Sequence, residues 1–219
     1  MSRHAAPLRS GPDIMGVVAA KSKADRPDPK TAVNPAAVRE AALTLFAERG
    51  YHGTALSQIA GALGIRTPSL YNHMKAKQDL LRDIVSETTE QVWADYEQSV
   101  VGVQDVVERL RRATRVYALR HATHRREALI VNRDIASLEE PARSDVLELR
   151  RRHARAVRDL IEEGARAGRF SEREPTLAAF GILEMCVSIA RWFREDGPQS
   201  AEAVAETYSR FALRIAGLR

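Results

Sequence analysis

The sequence predicts an all-α protein: an N-terminal helix-turn-helix head of three short helices, then a C-terminal helical bundle body, about nine helices in total. Residues 41–81 predict the head, because glycines and capping residues separate short amphipathic segments there. Aromatic residues make up only 5% of the chain, and no sustained alternation of apolar and polar residues indicates strands. With 219 residues, 44% of them hydrophobic, the chain is long enough for a small head and a larger body.

The head begins with a helix that Asn34 caps and Gly50 ends, since an Asn side chain accepts from free amides and glycine readily leaves the helical conformation. Thr54 is the expected cap of the second helix, and Gly64 supplies the bend that follows it. Thr67 is the expected cap of a third helix too short to be stable alone in water. The three helices therefore have to pack against one another.

Residues 1–33 carry no helical stripe and are rich in Pro, Ala and charge, which predicts a disordered basic arm. Its six basic residues outnumber its three aspartates, so it suits DNA phosphates beside the head. A solvated tail is the alternative, and Met15 is an alternative start of the chain. The whole chain carries a net charge of +5, which also suits a polyanionic partner.

Six more helices are expected after the head. They cover about residues 76–101, 104–122, 124–136 and 141–167, then a segment from Pro175 to before Gly197 and a last one from Ser200. Ser137, with Glu140 three residues later, resembles a capping box before the seventh helix. The fourth helix is long enough to link the head to the body.

The order of residues in the head resembles the N-terminal domain of the TetR family of bacterial repressors. The matching positions are Phe46, Arg49, Gly50, Tyr51, Thr54, Ile59, Ala60, Gly64, Leu70, Tyr71, His73, Lys77 and Leu80. Ala76 and Gln78 depart from the Ser and Glu that members often have, so the cap of the fourth helix is lost or moves to a neighbour. The resemblance implies a DNA-binding domain at 34–80 and a ligand-binding and dimerisation domain at 81–219.

The last two helices carry more apolar residues than one buried face requires: Leu177, Ile182, Met185, Ile189, Trp192, Val204, Tyr208, Phe211 and Ile215. The family resemblance implies that these helices form a homodimer interface. A dimer suits near-palindromic double-stranded operator DNA, where each head enters one major groove. The alternative is that these residues form the core of a monomer.

The expected DNA contacts lie in the second helix, the third helix and the start of the fourth: Ser57, Gln58, Thr67, Ser69, Tyr71, Asn72, His73, Lys75 and Lys77. Asn72 suits a bidentate contact with adenine. By the resemblance, Tyr71 and His73 contact phosphates or bases and Lys77 clamps a phosphate. Half-buried packing for Tyr71 and local capping for His73 are the alternatives.

The expected effector site lies between helices of the body. Its residues are Thr88, Val92, Trp93, Tyr96, Tyr117, Asn132, Arg150, Arg151, Arg155, Arg158, Phe180, Leu183 and Cys186. The body resembles those of actinobacterial repressors that answer to acyl-CoA or other CoA thioesters, and arginines suit CoA phosphates. The alternatives are a solvated helix face for the arginines, another apolar ligand such as an efflux substrate, or DNA binding without a ligand.

No cofactor and no metal are expected. The single Cys186 excludes an internal disulfide and is expected to be an inert buried thiol. A helical metalloenzyme built from His121, His124, Asp134 and His153 is the remote alternative, although the chain has no HExxH motif. The chain shows no apolar run long enough for a membrane span and no signal peptide, which predicts a cytoplasmic regulator that is not an enzyme.

Overall fold

The structure is a computed structural model that describes residues 33–218. Within them it contains nine α-helices, which confirms the predicted all-α fold. They are α1 (Pro35–Arg49), α2 (Leu56–Ala62), α3 (Thr67–Leu70), α4 (Lys77–Val100), α5 (Val106–Thr123), α6 (Arg125–Asp134), α7 (Ala142–Arg166), α8 (Pro175–Trp192) and α9 (Ala201–Ile215), with a 3-10 turn at Ile135–Ser137. The expectations for the arm up to residue 32, including Met15, lie outside the described residues.

Several predicted helix ends are confirmed. The Asn34 side chain accepts from the Ala37 amide at 2.9 Å, and Ser200 accepts from the Ala203 amide at 3.2 Å. Gly50 ends α1 with φ +83°, a conformation that side chains with a Cβ rarely adopt. These caps bind donors that α1 and α9 leave free at their first turns.

Three predicted caps are wrong. Thr54 instead donates its hydroxyl back to the Leu45 and Gly50 carbonyls at 3.1 and 2.9 Å, so it joins the start of α2 to the end of α1. Thr67 is the first residue of α3 rather than its cap. Ser137 lies in the 3-10 turn before α7, and its hydroxyl bonds the His52 ring at 2.8 Å.

Ala76 precedes α4 and has no side chain that accepts a hydrogen bond. Asp79 partly replaces the missing cap, because its carboxylate accepts from the Ala76 amide at 3.1 Å. The same arrangement starts α2, where the Gln58 side chain accepts from the Ala55 amide at 2.8 Å. In both helices the third residue closes the first turn from inside the helix.

Two hydrophobic clusters organise residues 33–218, and α4 contributes to both. The first joins α1, α2 and α3 to the first half of α4, and Ile130, Val131, Leu138 and Val146 complete it. The second surrounds α5, which packs against α4, α7, α8 and α9. No helix among the described residues is both long and apolar enough to cross a membrane.

Candidate DNA-binding head and effector cavity

The reading segment of the head is α3 and the turn after it. Gly64 makes the bend before α3 with φ +67°, and Leu70 is fully buried in the head cluster. The amide of His73 donates to the Leu70 carbonyl at 2.8 Å, which holds the following turn against α3. Tyr71 is 57% exposed and Asn72 is also exposed, so the anchored segment presents both side chains to solvent.

The other predicted DNA contacts differ in exposure. Ser57 and Lys75 are exposed, whereas Thr67, Ser69 and His73 are half-buried. The side-chain oxygen of Gln58 already caps the start of α2, which leaves its amide group for any further contact. DNA contact by all of these residues stays a prediction.

Lys77 has an additional role that the sequence did not indicate. Its ammonium group donates to the Tyr51 and Thr54 carbonyls at 2.7 Å each, and it lies 4.1 Å from the centre of the Tyr51 ring. Burial lowers the pKa of Lys77, and the charge of Asp134 acts in the opposite direction. The ammonium group thus joins α4 to the loop after α1, and one of its three N–H donors remains for a phosphate.

Helix α6 makes polar contacts with α1 that have no local signal in the sequence. The guanidinium of Arg133 donates to the Phe46 carbonyl and, at 3.2 Å, to the Ala47 carbonyl. These carbonyls end α1, where a positive charge is favourable. Arg126 of α6 bonds the Thr44 hydroxyl at 2.9 Å and pairs with Glu40.

A cavity of about 450 Å³ lies between α4, α5, α6, α7 and α8. Its apolar walls are formed by Val92, Ala128, Val131, Leu147, Ala154, Ala179, Phe180, Leu183 and Val187. The volume is within the usual range for small-molecule sites. The cavity is therefore the candidate effector site.

Ten of the thirteen predicted effector residues line this cavity: Thr88, Val92, Tyr117, Asn132, Arg150, Arg151, Arg155, Arg158, Phe180 and Leu183. The prediction was wrong for Trp93, Tyr96 and Cys186. Trp93 packs its ring edge against His153 and is covered by Arg152, while Tyr96 stacks on Tyr117 in the body core. Cys186 is fully buried, and burial raises the pKa of its thiol, as expected for an inert cysteine.

Five arginines and one acidic residue, Glu184, are among the residues that line the cavity. Arg151 and Arg155 share Glu148 at 3.2 and 2.6 Å, and hydrogen bonds from both hold the pKa of that carboxyl below its usual value. Arg158 pairs with Asp159. Arg120, which was not among the predicted site residues, pairs with Asp95.

Arg150 differs from the other cavity arginines. It donates to the Asn132 side-chain oxygen at 3.2 Å, and no carboxylate among residues 33–218 pairs with it. Its charge lowers the pKa of both His121 and His153, although burial is the larger cause for each. Arg150 is therefore a donor in the cavity that no acid neutralises.

Three histidines line the cavity, His121, His124 and His153, and the sequence analysis considered them as metal ligands. The Tyr117 hydroxyl lies 2.9 Å from His153 Nδ1, and His121 Nδ1 lies 2.7 Å from the Tyr117 carbonyl. Burial lowers the pKa of His153 to about 4, so its ring is neutral near pH 7. Asp134 instead pairs with Arg133, and the described part of the chain contains no cluster of three potential metal ligands.

An aromatic and aliphatic row is exposed on α8 and α9. Leu177, Phe180, Trp192 and Phe211 are 67%, 53%, 47% and 41% exposed, and the Tyr208 ring lies between those of Trp192 and Phe211. By contrast, Ile182, Ile189 and Val204 of the predicted dimer set are buried inside the protomer. We call the exposed row, Leu177, Phe180, Trp192, Tyr208 and Phe211, the α8–α9 face.

The fold and these sites define a helix-turn-helix DNA-binding regulator. Two family models match the chain: "Bacterial regulatory proteins, tetR family" at residues 38–84 and "Tetracyclin repressor-like, C-terminal domain" at residues 103–216. The chain belongs to the TetR family of bacterial regulatory proteins, and it is a transcriptional regulator rather than an enzyme.

Individual relatives agree with this family. The transcriptional repressor KstR2 of Mycolicibacterium smegmatis is 27% identical over 192 residues, which are 84% of this chain and 93% of that protein. The crystal structure of PfmR, a TetR family regulator of Thermus thermophilus, is 33% identical with a TM-score of 0.73 and covers 83% of this chain and 98% of its own. The regulator AibR, solved with isovaleryl coenzyme A and operator DNA, is 26% identical with a TM-score of 0.72 over 81% and 96% of the two chains.

Proposed function

We propose that the chain is a homodimeric repressor that a small hydrophobic effector, such as an acyl-CoA or another CoA thioester, releases from a palindromic operator. The observation that carries this proposal is the cavity of about 450 Å³, because two of the helices that line it, α4 and α6, also contribute to the head cluster. A ligand can shift the protein only toward the state it binds better. The effector must therefore bind best when the heads do not match the spacing of successive major grooves, about 34–36 Å.

Two helices supply a route from the cavity to the head. In α4, Thr88 and Val92 line the cavity, while Leu81 and Ile84 belong to the head cluster. In α6, Val131 belongs to both the cavity wall and the head cluster. A ligand that displaces either helix changes the position of α1 and α3.

The size of the cavity and the position of its arginines support a CoA thioester. About 450 Å³ suits an acyl group but leaves the nucleotide outside. Arg151, Arg155 and Arg158, all from α7, line the cavity, and arginine binds phosphate in a bidentate manner. AibR, the relative solved with isovaleryl coenzyme A, supports the same ligand class.

Paired titrations test the coupling. We expect operator DNA to weaken the binding of dodecanoyl-CoA by the same factor by which dodecanoyl-CoA weakens operator binding, because equilibrium coupling is reciprocal. Isothermal titration with and without a palindromic fragment from the chain's own promoter measures both factors. Equal affinities with and without DNA would reject the coupling, and binding of a different apolar ligand class would replace the CoA assignment.

The α8–α9 face is the proposed dimer interface, because it exposes four large apolar side chains and the half-buried Tyr208 ring lies between two of them. Phe211→Glu places an unpaired carboxylate in this interface, and we expect the dimer to dissociate. Light scattering gives the mass, and circular dichroism verifies that the monomer remains folded. Leu218→Glu, at an exposed position beyond α9, is the control that should stay dimeric; a folded Phe211→Glu dimer would place the interface elsewhere.

A further inference from the structure

Four polar side chains of α5 and α7 line the cavity. Tyr117 and His121 lie one turn apart on α5, and Arg150 and His153 lie one turn apart on α7. The Tyr117 hydroxyl lies 2.9 Å from His153 Nδ1, so the two pairs meet between these adjacent helices.

His121 has one ring nitrogen without a partner. Its Nδ1 lies 2.7 Å from the Tyr117 backbone carbonyl, and since a carbonyl oxygen only accepts, Nδ1 must carry the proton. Burial and the charges of Arg150 and Arg120 lower the pKa of His121, which keeps the ring neutral. Its Nε2 therefore holds a lone pair, and among residues 33–218 the His121 ring makes a hydrogen bond only through Nδ1.

Tyr117 adds a second acceptor. The Tyr117 hydroxyl lies 2.9 Å from His153 Nδ1, and the direction of this hydrogen bond depends on the tautomer of His153. In either direction the Tyr117 oxygen retains at least one lone pair.

Arg150 can donate hydrogen bonds to a ligand in the cavity. Its guanidinium has five N–H donors, and among the described residues it bonds the Asn132 oxygen alone. A carbonyl group of a ligand would satisfy Arg150 but leave His121 Nε2 without a donor. A hydroxyl group can do both, because its oxygen accepts from Arg150 while its proton is donated to a lone pair.

We propose that His121, Tyr117 and Arg150 form a subsite that selects effectors with a hydroxyl group on their hydrocarbon part. His121 Nε2 accepts the hydroxyl proton, the Tyr117 oxygen is the alternative acceptor, and Arg150 donates to the hydroxyl oxygen. The inference rests on the proposal that the cavity binds an effector. It adds a chemical criterion that is independent of CoA.

The first test uses the whole protein without a ligand. Nitrogen chemical shifts of protein labelled at histidine distinguish the two neutral tautomers, and the His121→Phe spectrum assigns the resonance. We expect His121 to carry its proton on Nδ1 and to have an unprotonated Nε2. A proton on Nε2 overturns the proposal whatever the ligand is.

The second test compares decanol with decyl methyl ether, which has the same chain but no hydroxyl proton. We expect decanol to bind the wild-type protein about fivefold to tenfold more tightly, the range of one net hydrogen bond in a buried site. Decanol, and not the ether, should shift the His121 Nε2 resonance. Equal affinities, or an unmoved resonance at saturating decanol, would overturn the subsite.

Two variants test which side chain causes the preference for decanol over the ether. His121→Phe should reduce the preference for decanol over the ether to less than twofold. Thr123→Val removes a hydroxyl from the same helix, at an exposed position that does not line the cavity, and should retain the preference. If both variants retain it, His121 is not the acceptor and the proposal fails.

These outcomes separate the subsite from the proposed function. Binding of decanol with the expected preference, together with no binding of any CoA thioester, would support the subsite and reject the CoA class. Binding of dodecanoyl-CoA that is coupled to operator release, with no preference in the alcohol pair, would support the regulator and reject the subsite.

Discussion

The head and the body differ in how completely their interiors are filled. In the head, Phe46, Ile59 and Leu70 are fully buried, and the polar groups of Thr54 and Lys77 bond nearby carbonyls. In the body, five helices surround a cavity of about 450 Å³ in which arginine and histidine groups retain free hydrogen-bonding capacity. The interior of the head is thus closely packed, whereas the body contains a cavity large enough for a small molecule.

The head and the body meet different physical requirements. Reading a DNA groove needs side chains at fixed positions, which close packing provides. Responding to a molecule needs a site whose free energy changes when it is occupied. Helices α4 and α6 contribute side chains both to the head cluster and to the cavity wall.

The largest expected difference between the head and the body is in the stability that is lost when a large side chain is truncated. Phe46→Ala should lower the free energy of unfolding by about 3–5 kcal/mol, since it opens a void in a closed core. Leu183→Ala only enlarges an existing cavity and should cost about 1 kcal/mol. Urea unfolding followed by circular dichroism measures both. Similar losses for the two variants would show that the cavity is closed in solution.

The next contrast is in pH dependence. The pKa of His153 is about 4 in the folded chain and about 6.5 when unfolded, so the unfolded chain binds the proton more readily. The stabilisation is present above pH 6.5 and is lost as the pH falls toward 4, by up to about 3 kcal/mol.

His153→Phe should reduce this loss, as measured by urea unfolding at a series of pH values. Asn72→Ala, in the head, is the control and should keep the wild-type pH dependence. An unchanged profile in His153→Phe would assign the acid sensitivity to other groups.

The smallest expected effects concern the surface of the head. Asn72→Ala should relax the preference at one base pair of each half-site by about 1–3 kcal/mol, because a bidentate contact is lost. Lys75→Ala should weaken binding to all sequences alike and reduce the salt slope by about one. A binding scan over single-base operator variants at several salt concentrations separates the two. Identical profiles would contradict the assigned roles.

Local signals predicted the features that depend on a few adjacent residues. Asn34, Gly50 and Ser200 were correctly placed at helix ends, because caps and positive φ angles are local properties. Thr54 and Thr67 each lie one residue from the actual cap position, and the Thr54 hydroxyl bonds carbonyls of α1 and its end instead of the first turn of α2. Apolar periodicity together with glycine and proline signals predicted the six helices after the head.

The sequence did not predict the features that depend on contacts between distant residues. An apolar helical stripe does not reveal which of its side chains faces a hollow, so Trp93 and Tyr96 were assigned to the cavity although they pack beside it. His121 was recognised only as a potential metal ligand, because its free nitrogen depends on a carbonyl of its own helix. The bonds of Arg133 to the end of α1 join residues 86 and 87 positions apart and carry no pattern.

The head cluster has a consequence for recombining domains between relatives. Ile130, Leu138 and Val146 complete the head core from outside residues 34–80, and Arg133 binds the end of α1. A chimaera that exchanges only residues 34–80 would therefore join a foreign core to these native side chains. A chimaera that keeps the head core intact has to take α6 and the start of α7 from the same parent as residues 34–80. The segments that must be exchanged together are therefore discontinuous in the sequence.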